Sequence, residues 1–197
     1  MKKIFYGMVL LTSVAACEDH QHGTPRANDT VVISRSNEKD TLKGSLKAYT
    51  KKKINDATIN IRYHSPAVRG RMIWGGLVPF DKIWVAGAHS ATSLEIDRDL
   101  IIDNQTIPAG KYGLFAIPGQ AEWTLVLNKN WDQHLTDEYD QMDDVLRWKV
   151  IPEALDNPQE RLMYVLDQTG EYKGNLELVW EKLRIKTPFE IRRGSEP

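Results

Sequence analysis

From Ala57 to Glu190 the chain repeats one pattern: short runs of alternating or β-branched residues, separated by turn formers such as glycine, proline, asparagine and aspartate. Alternation of period two puts successive side chains on opposite faces of an extended strand, so each run can bury one face and wet the other. The runs are Thr58 to His64, Arg71 to Leu77, Lys82 to Val85, Ser93 to Asp97, Leu100 to Ile102, Tyr112 to Ile117, Trp123 to Asn128, Asp144 to Ile151, Arg161 to Asp167, Asn175 to Glu181 and Arg184 to Glu190. Many short strands with almost no helical pattern predict an all-β, sandwich-like single domain of mainly antiparallel strands. Turn chemistry agrees. Asp103-Asn104 tolerates left-handed backbone, Pro108-Ala109-Gly110 bends the chain before Tyr112, and Pro118-Gly119 joins two strands as a hairpin. Only "WDQHLTDEYDQMDDV", residues 131–145, leaves room for one short helical segment, and its charges fall on all sides, so it should face solvent.

The N-terminus carries a different signal. Lys2 and Lys3 precede an uncharged, largely apolar run from Ile4 to Ala16, followed by Cys17. This reads as a basic region, a short apolar region and a small-residue cleavage site. The run falls short of the roughly 20 apolar residues that span a bilayer. Val14-Ala15-Ala16-Cys17 resembles a bacterial lipoprotein signal, in which the cysteine is lipid-modified and becomes the first residue. The expectation is therefore a signal peptide over 1–16, lipid attachment at Cys17, and a cell-envelope protein held to a membrane, the outer membrane favoured. Residues 17–53 read as a flexible tether and lead-in, 54–191 as the sandwich, and 192–197 as a tail. Glu18 and Asp19 resemble surface-export signals, which leaves a periplasmic or a surface-facing position open. In the lead-in, Lys47, Lys51, Lys52 and Lys53 read as a solvated stretch or a second contact with anionic head groups.

Cys17 is the only cysteine, so no disulfide can form within the chain and the core alone must hold the fold. The formal charge of −1 becomes more negative once Lys2 and Lys3 are removed, which excludes the basic footprint of a nucleic-acid binder. No glycine spacing matches a dinucleotide or phosphate loop, so no cofactor is expected from motifs. "WVAGAHSAT", residues 84–92, sets His89 beside Ser90 but lacks the Gly-x-Ser-x-Gly elbow. Neighbours on an extended strand also point apart, so a catalytic Ser/His pair is not expected.

"INIRYHSPAVRGRMIWGGLVPFDKIWVAGAHSATSLEI", "IPAGKYGLFAIPGQAEWTLVLNKNWDQHLTDEYD", "DDVLRWKV" and "LELVWEKLRIKTPF" together resemble a bacterial family, domain of unknown function 2911. The resemblance runs from about Ile54 to Ile191. It rests on Tyr63-x-Ser65-Pro66, Gly70-Arg71, Trp74-Gly75, the stretch from Leu77 to Trp84, Ala109-Gly110-x-Tyr112 and Trp123. It implies export, often as a lipoprotein, and supplies no established activity. Many members resemble "GANEAT" where this chain has residues 87–92, while another branch looks like "GAHxAT" and also has a histidine at the place of His134. The resemblance thus implies that any chemistry at His89 belongs to its own branch.

Candidate site residues follow from residue type. His89 and His134, with carboxylates from Asp132, Glu138, Asp140 or Asp143, would suit a divalent metal such as zinc if the fold brings them together. The bland alternative is a hydrogen-bonded turn at His89 and an edge position for His134. His64 reads as a surface residue. Of six tryptophans, Trp123 and Trp180 should be core. Trp84 and Trp131, at segment ends, are candidates for a ligand patch with Arg71 and His89, since indole stacks on sugars or anchors a partner. Arg71 could alternatively serve a structural salt bridge to Asp81 or Asp97. Three function classes stay open: a non-catalytic envelope lipoprotein binding a glycan, peptide or envelope protein, a metal-binding protein or metal-dependent hydrolase, and a purely structural envelope component.

Overall fold

The computed structural model describes residues 30–33 and 40–193. The expected signal peptide, Cys17 and the tether with His20 and His22 lie outside the described residues. Eleven strands run β1 Thr30–Ile33, β2 Leu46–Ile54, β3 Ala57–Ser65, β4 Thr92–Ile96, β5 Leu100–Ile102, β6 Gln105–Ile107, β7 Gly110–Ile117, β8 Trp123–Asn128, β9 Asp144–Val150, β10 Glu153–Gln168 and β11 Lys173–Ile191. They form a seven-stranded sheet in the order β1-β2-β3-β4-β7-β8-β9 and a four-stranded sheet in the order β10-β11-β5-β6. Every pairing between these strands is antiparallel. This is the all-β sandwich that the alternation predicts. No helix of the described residues is long and apolar enough to cross a membrane.

Alternation builds the core. On β3, Ala57, Ile59, Ile61 and Tyr63 turn inward, and Ile54 of β2 with Leu94 and Ile96 of β4 continue the same layer. The four-stranded sheet answers with Leu162, Tyr164, Leu166, Leu176, Leu178 and Trp180. Three polar side chains that end up between the sheets bond across the gap, which offsets the cost of burying them in an apolar layer. Thr50 Oγ1 donates to the Tyr164 carbonyl at 2.9 Å, Ser65 Oγ donates to the Leu162 carbonyl at 2.6 Å, and Trp148 Nε1 donates to Thr187 Oγ1 at 3.0 Å. The Tyr63 and Tyr164 rings meet edge to face at 4.9 Å. At one end Trp74, Trp84, Trp123 and Trp180 pack together, with Trp123 and Trp180 buried as expected.

The turns follow the sequence. Asp103 and Asn104, at φ 49° and 60°, make the two-residue turn between β5 and β6 that is matched to strand twist. Pro118-Gly119 begins the connection between β7 and β8. The helical expectation for 131–145 reduces to a single 3₁₀ turn, Gln141–Asp143, capped by the Asp140 side chain.

Several strand expectations are corrected. Residues 71–77 form turns rather than a strand, because Gly75 needs φ 77° and the chain folds back in bonds from Gly75 to Val78 and Gly76 to Ile73. That turn lowers Ile73 and Trp74 onto the end of the core. Residues 82–85 contribute only an isolated bridge from Trp84 to Ala116. Asn175 to Glu181 and Arg184 to Glu190 are one continuous strand, β11, whose register shifts opposite Glu181, at φ 55°. The sheet also begins earlier than expected. The lysine-bearing stretch read as lead-in is β2, paired residue for residue with β3, and Thr30–Ile33 adds a further strand outside it. Clustered lysines masked the alternation of Ala48, Thr50 and Ile54, whose small or apolar side chains face the core.

Candidate functional site

The inward residues of β2, β3, β4 and β7 leave the intervening positions on the outer face of the large sheet. Register sets these in rows. Tyr49 stands opposite Arg62, Arg62 opposite Ser93, and Ser93 opposite Gly113, while Lys47 stands opposite His64. One row further on, Glu95 lies opposite Lys111.

Over the β7 and β8 half, this outer face is covered. Val85, Ala91, Phe115 and Val126 form a small second core there, capped by Tyr139, whose ring meets Phe115 at 5.2 Å. The Tyr139 hydroxyl donates to Asp144 Oδ2 at 2.9 Å and accepts from Arg147 Nη2 at 2.7 Å. Burial, with the Asp144 carboxylate beside it, pushes this phenol up to about 12, so it stays a neutral donor. Gly113 lets the covering segment come close: a Cβ there would lie 2.6 Å from the Phe115 ring and 3.0 Å from the Asn130 carbonyl.

Over the β2, β3 and β4 half the face is open, and a cavity of about 300 Å³ forms beside the covering segment. Its floor is the row of Tyr49, Arg62 and Ser93, flanked by Lys47 and His64. Its wall is Ser90 and Ala91 on one loop, with Trp131 and Asp132 on another. The loops are joined by bonds from Ala91 N to the Gln133 carbonyl and from Leu135 N to the His89 carbonyl. Lys111 Nζ sits 3.1 Å from the centre of the Trp131 ring, a cation–π contact that holds both at the rim. His64 meets His89 edge to face at 5.1 Å. Burial first, then the charges of His89 and Lys47, hold the His64 imidazole below its ordinary range.

Of the expected ligand patch, Trp131 lines the cavity, and His89 stands at its edge against His64. Arg71 and Trp84 belong elsewhere. The Arg71 guanidinium donates to the carbonyls of Ala67 and Val68, closing its own turn. The Trp84 indole donates to the Gly87 carbonyl, and its ring stacks on Trp180 with centroids 6.0 Å apart. The two histidines read as metal ligands are brought close only through backbone, by the bridge from Ser90 to His134. The exposed His134 ring is engaged through Nδ1 with Asp137 at 2.9 Å, while the His89 ring rests on His64. Among the described residues, no three of His, Cys, Asp or Glu group together as a metal would need. Sequence reasoning missed Lys47, Tyr49, Arg62, Ser93 and Lys111 as site residues. The signal that could have found them is the polar parity of each strand: once the apolar positions are assigned inward, these fall on the opposite face.

A two-sheet antiparallel sandwich with one open, cationic hollow on the outer face of its larger sheet defines the class. Residues 45–189 match the model of a family described as "Protein of unknown function (DUF2911)", and the chain belongs to that family. No curated protein and no solved structure matches the chain.

Proposed function

We propose that this protein is a lipid-anchored envelope lipoprotein whose sandwich binds a small polar ligand in the outer-face cavity without transforming it. The single observation that carries the binding reading is the cavity itself, about 300 Å³ and lined by polar and aromatic side chains on a rigid sheet. That volume lies at the lower end of small-ligand sites. Support for a non-catalytic role comes from the two imidazoles at the cavity. Among the described residues neither His64 nor His89 makes a side-chain hydrogen bond, so neither is oriented by an acid as a general base is. Support for anchoring is the Val14-Ala15-Ala16-Cys17 sequence after the apolar run.

Two experiments test the two halves. Cys17→Ser should move the protein from the membrane to the soluble fraction, and a variant that stays with the membrane sinks the lipid anchor. For the cavity, equilibrium dialysis against a defined set of monosaccharides, amino acids and short peptides should give at least one ligand that is recovered chemically unchanged. Trp131→Ala should weaken its binding at least tenfold, while equal binding by that variant removes the cavity from the reading.

A further inference from the structure

We propose that the ligand is an anionic, monosaccharide-sized molecule, its carboxylate or phosphate held by Lys47, Arg62 and Lys111 and its hydroxyls by Ser90, Ser93 and Asp132. This rests on the cavity being the binding site.

The charge arrangement is the first argument. Elsewhere on the sandwich several cations meet acids: Arg98 with Asp56 at 3.1 Å, Arg147 with Asp144 at 2.6 Å, Arg161 with Asp40 at 2.7 Å and Arg184 with Glu177 at 3.2 Å. The cavity gathers three cations without such a partner in one lining. Among the described residues Lys47, Arg62 and Lys111 have no carboxylate in ion-pair contact. Lys111 even faces Glu95 across the β4–β7 ladder, yet its ammonium is turned to Trp131 while Glu95 accepts from Asn60 Nδ2 at 3.5 Å. Three like charges brought to one hollow repel each other, and an anion bound among them relieves that repulsion. Low-dielectric walls strengthen the attraction beyond its value at a flat surface.

Register supplies the second argument. Lys47, Arg62 and Lys111 come from three strands of one sheet face, so their positions are fixed by backbone hydrogen bonding rather than by loop conformation. Arg62 presents a planar fork suited to two oxygens of one oxyanion, and the lysines act as point charges beside it.

Size and the remaining polar groups narrow the class. A bare phosphate would leave most of the cavity unfilled. Asp132 accepts hydrogen bonds and repels a second acid, so it suits the hydroxyl end of the ligand rather than its charged end. Ser90 and Ser93 both donate and accept, as sugar hydroxyls need.

The test is calorimetric titration of the full-length chain, in detergent, with glucuronate, glucose 6-phosphate and glucose. At least one of the two anions should bind ten times or more tightly than glucose, and 0.5 M salt should erase most of that difference. Arg62→Gln and Lys111→Gln should each weaken anion binding by tenfold or more, as expected for a lost charged contact. Lys53→Gln, on β2 outside the cavity, should leave it unchanged, and thermal melts confirm that each variant folds. Glucose binding as tightly as the anions, and lost in Trp131→Ala, overturns the anionic ligand and keeps the cavity. Anion binding unaffected by Arg62→Gln, Lys111→Gln and Trp131→Ala overturns both. No binding by any of the three sugars overturns the anionic-sugar ligand and returns the cavity to the wider ligand set.

Discussion

His64 is a residue whose chemistry depends on its neighbours from three directions. Lys47 faces it from β2, His89 packs on it from the loop before β4, and Arg62 shares its strand face two residues earlier. Burial disfavours a proton on its ring most, followed by His89 and then Lys47. The unfolded chain titrates near 6.5, so as pH falls it takes up this proton before the folded chain does. Stability linked to His64 is therefore complete above that value and is lost as pH falls toward the depressed folded value. In urea melts between pH 7.5 and 5, His64→Gln should lose less midpoint than the parent, and identical losses would show that His64 is not the group responsible. Arg161 makes the opposite case, a buried charge that is fully met. Its guanidinium reaches both Asp40 oxygens, at 2.7 and 2.8 Å, and the carbonyls of Gly44 and Ser65. Asp40→Ala leaves that guanidinium short of its counter-charge. It should cost about 3 kcal/mol in equilibrium unfolding, and a loss below about 1 kcal/mol would mean that water replaces the carboxylate freely.

At the scale of elements, the covering of β7 and β8 decides where the cavity stops. The segment that carries Trp131 and Tyr139 can lie close to β7 because Gly113 has no side chain and Tyr139 is held by Asp144 and Arg147. Gly113→Ala would press a methyl into the Phe115 ring and the Asn130 backbone. Overpacking of this kind costs about 1–3 kcal/mol, and here it should also displace the Trp131 wall, weakening ligand binding. A variant as stable as the parent in urea would show that the segment yields without strain. β2 shows how charge conceals a strand. Lys47, Lys51 and Lys53 alternate with Ala48, Thr50 and the half-buried Lys52, so the outward positions are strongly polar while the inward ones are only weakly apolar. Hydrophobic periodicity fades in such a stretch although the backbone pairing is regular. Residues 71–77 fail in the reverse direction. Met72, Ile73 and Trp74 make a short apolar run that reads as a strand, but Gly75 and Gly76 turn the chain before a strand can pair.

For the whole molecule, fold class, the turn at Asp103-Asn104 and the core positions of Trp123 and Trp180 were legible in the sequence, because each rests on a local rule. Period-two alternation selects extended strands. Left-handed tolerance selects the two-residue turn, and a large apolar ring at the end of an alternating run seeks the interior. The site was legible in Trp131, in Asp132, read there as a carboxylate for a metal, and, at the edge, in His89. Arg71 and Trp84 have the right chemistry for ligands, but the fold assigns the first to its own turn and the second to the tryptophan cluster. Local alternation thus determined that this chain is an antiparallel sandwich, and its single cysteine that no disulfide forms within it. Tertiary structure alone decided that Lys47, Arg62 and Lys111 share one hollow beside Trp131. The reason is that alternation is set by neighbours along the chain, whereas the register between strands is set by contacts among residues far apart in it, and register decides which outward side chains meet.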